Sequence, residues 1–128
     1  MTGYLLDTQA FLWFVLGDAR LSSSTRVAVE DAADVHVSAA SAWEIRTKYR
    51  IGKLPDAAVL VHDLAGWVAR LGFRELPVTF ADGDAAGAFA QAHKDPFDRI
   101  LVAQALNHRL ALVSSDAALD AFGVVRVW

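Results

Sequence analysis

A chain of 128 residues, 55% apolar and without cysteine, can build one compact domain with a substantial core, and it excludes disulfides, thiolate nucleophiles and cysteine zinc sites. A net charge of -3 excludes polyanion binding by bulk attraction, so a nucleic-acid partner would need a local basic patch or bound cations. The opening stretch MTGYLLDTQAFLWFVLGDAR has no basic leader and is interrupted by Asp7, and no run approaches the ~20 apolar residues of a membrane span; the expectation is a single domain over residues 1–128 in a reducing cytoplasm, with no membrane partner.

The elements alternate. Tyr4-Leu5-Leu6 is a short apolar strand ending at Asp7, and Gln9–Leu16 reads as an apolar helix stopped by Gly17-Asp18. Ser22–Ala33 forms a second helix with serines for capping. Val35–Val37 is a second strand. Ser41–Tyr49 is helical and ends near Gly52. Pro55-Asp56 opens one helix to Gly72, with Val59, Leu60, Leu64, Trp67, Val68 and Leu71 at helical spacing. Phe73–Val78 reads as a third strand, with Pro77 marking an edge or a strand end. A small-residue helix starts at Asp82 or Asp84 and reaches about His93. Phe97–His108 is apolar nearly all round and therefore buried on more than one side. Ala111–Val113 is a strand, Ala117–Ala121 a short helix and Val124–Val127 a last strand. The alternation predicts an α/β fold whose central sheet, about four to five strands, is mostly parallel.

Four carboxylates recur near helix starts. Asp7, Glu44 and Asp116 come just after strands, where α/β sheets bind ligands, and Asp98 lies in the first turn of the helix that begins at Phe97. Each has a structural alternative. Asp7 and Asp116 can cap the helices that follow them, and Ser41-Ala-Trp-Glu44 fits a capping box. Asp95 before Pro96 is a good cap, and Asp98 suits the positive end of a helix dipole. As a set they point elsewhere. Carboxylates crowded on one sheet edge repel one another and raise their own pKa values. A hard divalent ion, Mg2+ or Mn2+, takes oxygen ligands and keeps open positions, which suits phosphoryl chemistry. Other phosphate chemistries fit less well. GxxxxGK[ST] and GxGxxG are absent, Asp7 has no acidic partner two residues on, and no acidic pair with a late lysine is placed as in receiver domains. A basic patch, Arg46, Lys48, Arg50 and Lys53, lies within eight residues; it is either a solvated helix face or a contact for RNA.

LLDTQAFLW (5–13), SAASAWEIRTKYRIGKL (38–54), HKDPFDRILVAQA (93–105), LVSSD (112–116) and VVRVW (124–128), in this order, resemble a PIN domain of the VapC toxin branch across nearly the whole chain. The resemblance implies a three-layer α/β/α domain and an Mg2+- or Mn2+-dependent endoribonuclease. The acidic site would be Asp7, Glu44, Asp98 and Asp116, with metal on Asp7 and Asp98 and Glu44 and Asp116 completing the site or recruiting a second ion. Asp95 would be an accessory aspartate, and Thr8 and Ser115 supporting hydroxyls. Gln9 stands where many relatives carry His, and LVSSD has Ser where Thr is common. Products would carry a 5'-phosphate and a 3'-hydroxyl, and the 46–53 patch would meet RNA.

A homodimer and a small VapB-like antitoxin are also implied. The antitoxin would lie in an apolar groove walled by Asp56–Gly72, although ordinary core packing explains Trp67, Val68 and Leu71 as well. Arg99 either neutralises the acidic cluster or contacts phosphate. His93 reads as a helix-end residue, His36 as structural, and Trp13 and Trp43 as core. Two other readings stay open: a PIN-type nuclease of RNA maturation or DNA processing without an antitoxin, and a non-catalytic binding module. The neighbouring gene separates the first of these from a toxin, and Mn2+ calorimetry tests the second.

Overall fold

The computed structural model describes residues 3–128. Its strands are β1 (Tyr4–Leu6), β2 (Val35–Ser38), β3 (Arg74–Leu76), β4 (Ala111–Val113) and β5 (Arg126–Val127). They form one five-stranded sheet in the order β3-β2-β1-β4-β5, with every pairing parallel. Tyr4 sits beside Val35 on one side and Ala111 on the other, so β1 is central.

The short strands are apolar because both faces are covered. Leu6, Val35, Val37 and Val113 face a cluster with Phe11 and Leu12 of α1 (Thr8–Leu16), Val29 of α2 (Ser23–Asp31) and Ile45 of α3 (Ala39–Arg50). Leu5 and Leu112 face the opposite side, with Leu101, Val102 and Ala105 of α7 (Pro96–His108). Alternate residues of each strand thus feed two cores, giving three layers.

Two helices differ from expectation for local reasons. The segment expected as one helix from Pro55 to Gly72 is a 3-10 turn (Pro55–Ala57), a short α4 (Ala58–Val61) and α5 (Leu64–Arg70). Asp63 makes the break: it leaves helical backbone geometry and its Oδ1 accepts from the Gly66 N–H at 2.9 Å. Position 66 must be glycine for this cap, since a Cβ there would lie 1.9 Å from Asp63 Oδ2.

The small-residue helix α6 (Phe80–Ala88) starts earlier than Asp82 and stops well before His93. Thr79 is its cap. Thr79 Oγ1 accepts from Asp82 N–H (3.1 Å), and Asp82 Oδ2 accepts from Thr79 N–H (3.0 Å), a reciprocal pair. Asp82 is buried and also accepts from the Asn107 amide at 2.9 Å, tying α6 to α7.

Burial alone would raise the Asp82 carboxyl. The hydrogen bonds from Thr79 and Asn107 and the proximity of His108 outweigh it and hold its pKa below the ordinary carboxylate value. A depressed folded-state pKa contributes stability that is present above the unfolded carboxylate range and is lost as pH falls through the folded value. Asp82→Ala should therefore cost about 1–3 kcal/mol at neutral pH. Urea denaturation at pH 7 and at acid pH should show the gap from wild type narrowing as pH falls; a gap that widens on acidification contradicts the assignment.

Candidate active site

Strand order reverses beside β1: the chain runs outward to β2 and β3, then returns to place β4 on the other flank. The carboxyl ends of β1 and β4 therefore open a crevice, and three loop-to-helix junctions deliver carboxylates into it. Asp7 ends β1 and caps α1, its Oδ1 accepting from Ala10 N–H at 2.7 Å while its own N–H donates to Val113 O at 3.0 Å. Beyond β4, Ser114 Oγ accepts from Asp116 N–H (3.1 Å), and Asp116 Oδ1 accepts from Ala118 N–H (3.0 Å) at the start of a 3-10 helix, Ala117–Phe122. Asp95 Oδ1 accepts from the N–H groups of Phe97 (2.9 Å) and Asp98 (3.3 Å), with Pro96 first in α7. That cap fixes Asp98 in the first turn.

The fourth carboxylate is held differently from a capping box. The cap of α3 is Ser38, whose Oγ accepts from Ala40 N–H at 3.0 Å, so the helix starts before Ser41 and Glu44 has no cap to close. Glu44 is buried, and its Oε1 accepts from the Thr8 hydroxyl at 2.6 Å, with Ser41 Oγ 3.0 Å from the same Thr8 oxygen. Thr8 has one proton, and the carboxylate takes it. Lys48, one turn on, donates Nζ to Glu44 Oε2 at 2.5 Å.

Asp7, Thr8, Gln9, Glu44, Lys48, Asp95, Asp98, Ser115 and Asp116 line one pocket of about 170 Å3. All the expected acidic and supporting residues thus meet in one place. His93 joins them: its Nε2 lies 2.9 Å from Asp98 Oδ2, and one ligand atom each from His93, Asp98 and Asp116 lie within 4.8 Å of one another. The sequence reading of His93 as a helix end misses this, because α6 stops at Ala88 and the chain turns back in residues 89–95.

Arg99 shapes that turn. Its guanidinium donates to the carbonyls of Ala86 (2.9 Å), Phe89 (2.7 Å), Gln91 (2.7 Å) and His93 (3.0 Å). Four of its five donors are engaged with the backbone, so it braces the His93 loop and offers phosphate little. The 46–53 patch is likewise divided. Arg46 donates to Val61 O and fastens α3 to α4, Lys48 enters the pocket, and Arg50 at the end of α3 and Lys53 beyond it are exposed. Trp13 is partly buried against the core and packs edge-on to Trp128. Trp43 is not core: it is 66% exposed and meets Phe97 edge-on at 5.0 Å. His36, within β2, pairs with Asp34 at 2.8 Å, remote from the pocket.

The pocket is electrostatically unfinished. Burial, chiefly, pushes the Asp7 carboxyl up to about 6; Asp98 and Glu44 add to it against hydrogen bonds from Ser114 and Ala10. Burial, with the charges of Asp95 and Glu44, also raises Asp98 in spite of His93. A raised carboxyl pKa favours the folded state at low pH and costs stability as pH rises through about 6. Removing the charge should thus stabilise the metal-free protein: Asp7→Asn, which keeps the cap, should gain up to about 2–3 kcal/mol at pH 7.5 and much less at pH 4. Denaturant titrations in EDTA at the two pH values check this; a variant less stable than wild type at pH 7.5 contradicts it.

The donor set fits a hard divalent cation. Its members are carboxylate oxygens, with one imidazole at the edge, no sulfur, and a charge excess that an ion relieves.

The PIN domain family matches residues 4–125. The chain belongs to the PIN domain family. Similar folds occur in the Rickettsia felis VapBC2 complex bound to a fragment of its promoter DNA, which is 10% identical with a TM-score of 0.70 over 97% of this chain and 96% of that one. VapC20 of Mycobacterium tuberculosis, a sarcin-ricin-loop-cleaving toxin, is 19% identical with a TM-score of 0.68 over 98% of each chain. FitAcB of Neisseria gonorrhoeae is 24% identical with a TM-score of 0.69 over 98% of this chain and 96% of that one. No match was found among curated proteins. In this PIN domain no helix among the described residues is long and apolar enough to cross a membrane.

Proposed function

We propose that this PIN domain is an Mg2+- or Mn2+-dependent endoribonuclease that acts in the cytoplasm as the toxin of a toxin–antitoxin pair and inhibits translation. The observation that carries the reading is the pocket itself: Asp7, Glu44, Asp98 and Asp116 arrive from separate elements and line one pocket, at a cost in repulsion that a capping role does not require.

Asp7, Asp98 and Asp116 would hold the ion, with His93 beside them. When bound, it lowers the pKa of a water and draws charge from the phosphate oxygens. The chain's residues do the positioning. Asp95 fixes the first turn of α7 and so aims Asp98. Thr8 locks Glu44. Asp116 accepts a hydrogen bond from the attacking water and sets its direction. Water's oxygen bonds to phosphorus, the bond to the 3' oxygen breaks, and that oxygen leaves as a hydroxyl, so products carry a 5'-phosphate and a 3'-hydroxyl. The pocket's negative charge repels RNA from the metal-free site, and a bound cation offsets much of that charge.

Two observations support an antitoxin. Among the similar folds is a VapBC2 complex. An apolar groove of about 400 Å3 lies beside β3, lined by Phe11, Val37, Leu64, Val68, Leu76 and Pro77 among others. Leu64, Ala65 and Val68 of α5 line it, while Trp67 and Leu71 pack on the core without reaching it, and Leu64 and Val68 contribute to both. Substituting Ala65→Arg, an exposed position that also lines the groove, should weaken antitoxin capture without changing cleavage by the free protein. The function is tested by incubating RNA with purified protein, freed of partner, in Mn2+ and in EDTA. Cleavage in Mn2+ alone supports it; cleavage unaffected by EDTA, or none in either, opposes it.

A further inference from the structure

Glu44 differs from the other pocket carboxylates in already having a cation. The i, i+4 spacing on α3 stacks Lys48 over Glu44, and Nζ donates to Oε2 while Thr8 donates to Oε1. Both oxygens of a buried carboxylate are thus held by charge-assisted bonds. Lys48 is partly enclosed and lines the pocket together with Asp7, Asp98 and Asp116. It is the one basic side chain among the pocket's lining residues. By contrast, Asp7 and Asp116 accept hydrogen bonds from backbone N–H groups, and Asp98 faces His93. Arg46, Arg99 and Arg126, the nearby arginines, are fastened to backbone carbonyls elsewhere.

We propose that Lys48 is a positioning residue that supplies the site's second positive charge: it keeps Glu44 as its own partner, so the pocket takes one divalent ion, on Asp7, Asp98 and Asp116, instead of two. The inference rests on the metal-dependent reading above. An ammonium beside Glu44 repels a second cation, and its compact, strongly hydrated charge stays in the pocket where an arginine's planar fork would need a bidentate partner. The Glu44–Lys48 pair is neutral, so one divalent ion on three carboxylates leaves a modest negative balance and a fixed ammonium facing incoming phosphate. The residue's contribution to RNA is then local to the scissile group and independent of Arg50 and Lys53 on the exposed end of the helix.

Manganese titration of the full-length chain, with free Mn2+ followed by electron paramagnetic resonance, tests this. Wild type and Lys48→Arg should each bind one ion per chain. Lys48→Met should bind two, the second within about tenfold of the first, and Lys48→Met combined with Glu44→Gln should return to one. Circular dichroism establishes that each variant is folded, and Lys48→Gln serves if Lys48→Met is not. One ion in Lys48→Met or Lys48→Gln at unchanged affinity overturns the role of Lys48 and leaves the metal-dependent nuclease standing. Two ions in wild type overturn it equally. No ion in wild type overturns the nuclease reading and this inference with it.

Discussion

Asp98→Asn should abolish RNA cleavage and leave the fold intact. Asparagine keeps the size of the side chain and its compatibility with a first helical turn, and the cap of α7 belongs to Asp95, not Asp98. The charge, however, is gone from a group that lies within hydrogen-bond distance of His93 and shares the pocket with Asp7 and Asp116. Even residues that only support a metal ligand alter affinity by about 10–100-fold, so loss of the ligand should weaken Mn2+ binding by at least about 100-fold, with cleavage falling in step. The same variant should lose the rise in melting temperature that Mn2+ gives wild type, because binding to the folded state alone is what produces it. Melting with and without Mn2+ beside a cleavage assay checks both. Asp95→Asn is the control: Asn also caps, so metal binding and cleavage should largely survive. If Asp95→Asn is the more damaging of the two, the roles are reversed.

Arg99→Ala is the largest stability loss expected from a single polar side chain here. Four backbone carbonyls from residues 86–93 converge on this guanidinium, and the ring faces of Phe89 and Phe122 lie 5.9 and 6.0 Å from it. Hydrogen bonds to charged groups contribute about 1.5–3 kcal/mol each and are not additive, so a total of about 3–5 kcal/mol is expected in denaturant titrations. Arg99→Lys should recover only a small part, since an ammonium cannot span the four acceptors. The loss should reach the active site, because His93 hangs on the same brace. A cleavage defect in Arg99→Ala with unchanged stability would instead assign this arginine to RNA.

Much of the site could be read in the sequence because its signals are local. Asp7 and Asp116 follow apolar runs too short to be anything but strands between helices, and Asp95-Pro96 states where α7 begins. The topology then brings those ends together. What could not be read depends on competition or on distance. Ser38 and Ser41 are both plausible caps; Ser38 wins, and Glu44, which looks like half of a capping box, is released to Thr8 and Lys48. The break at Asp63 follows from one side chain reaching Gly66 inside a helical hydrophobic pattern. His93 is invisible because the end of α6 is set by a guanidinium on another helix. Arg46, Lys48, Arg50 and Lys53 form one patch in sequence, but helical geometry sends them to a carbonyl, a carboxylate and solvent.

The stability and activity expectations pull in opposite directions at Asp7. Removing its charge should stabilise the metal-free protein and disable it, as expected where a site stores electrostatic strain for a ligand. In the proposed nuclease, this strain serves phosphodiester hydrolysis. Mapping the ends of total RNA after treatment with purified wild type and Asp7→Asn tests it most directly. Discrete new ends carrying 5'-phosphate and 3'-hydroxyl are expected, formed with Mn2+, absent in EDTA and absent with Asp7→Asn. Ends with a cyclic phosphate, or the same ends from Asp7→Asn, would contradict it.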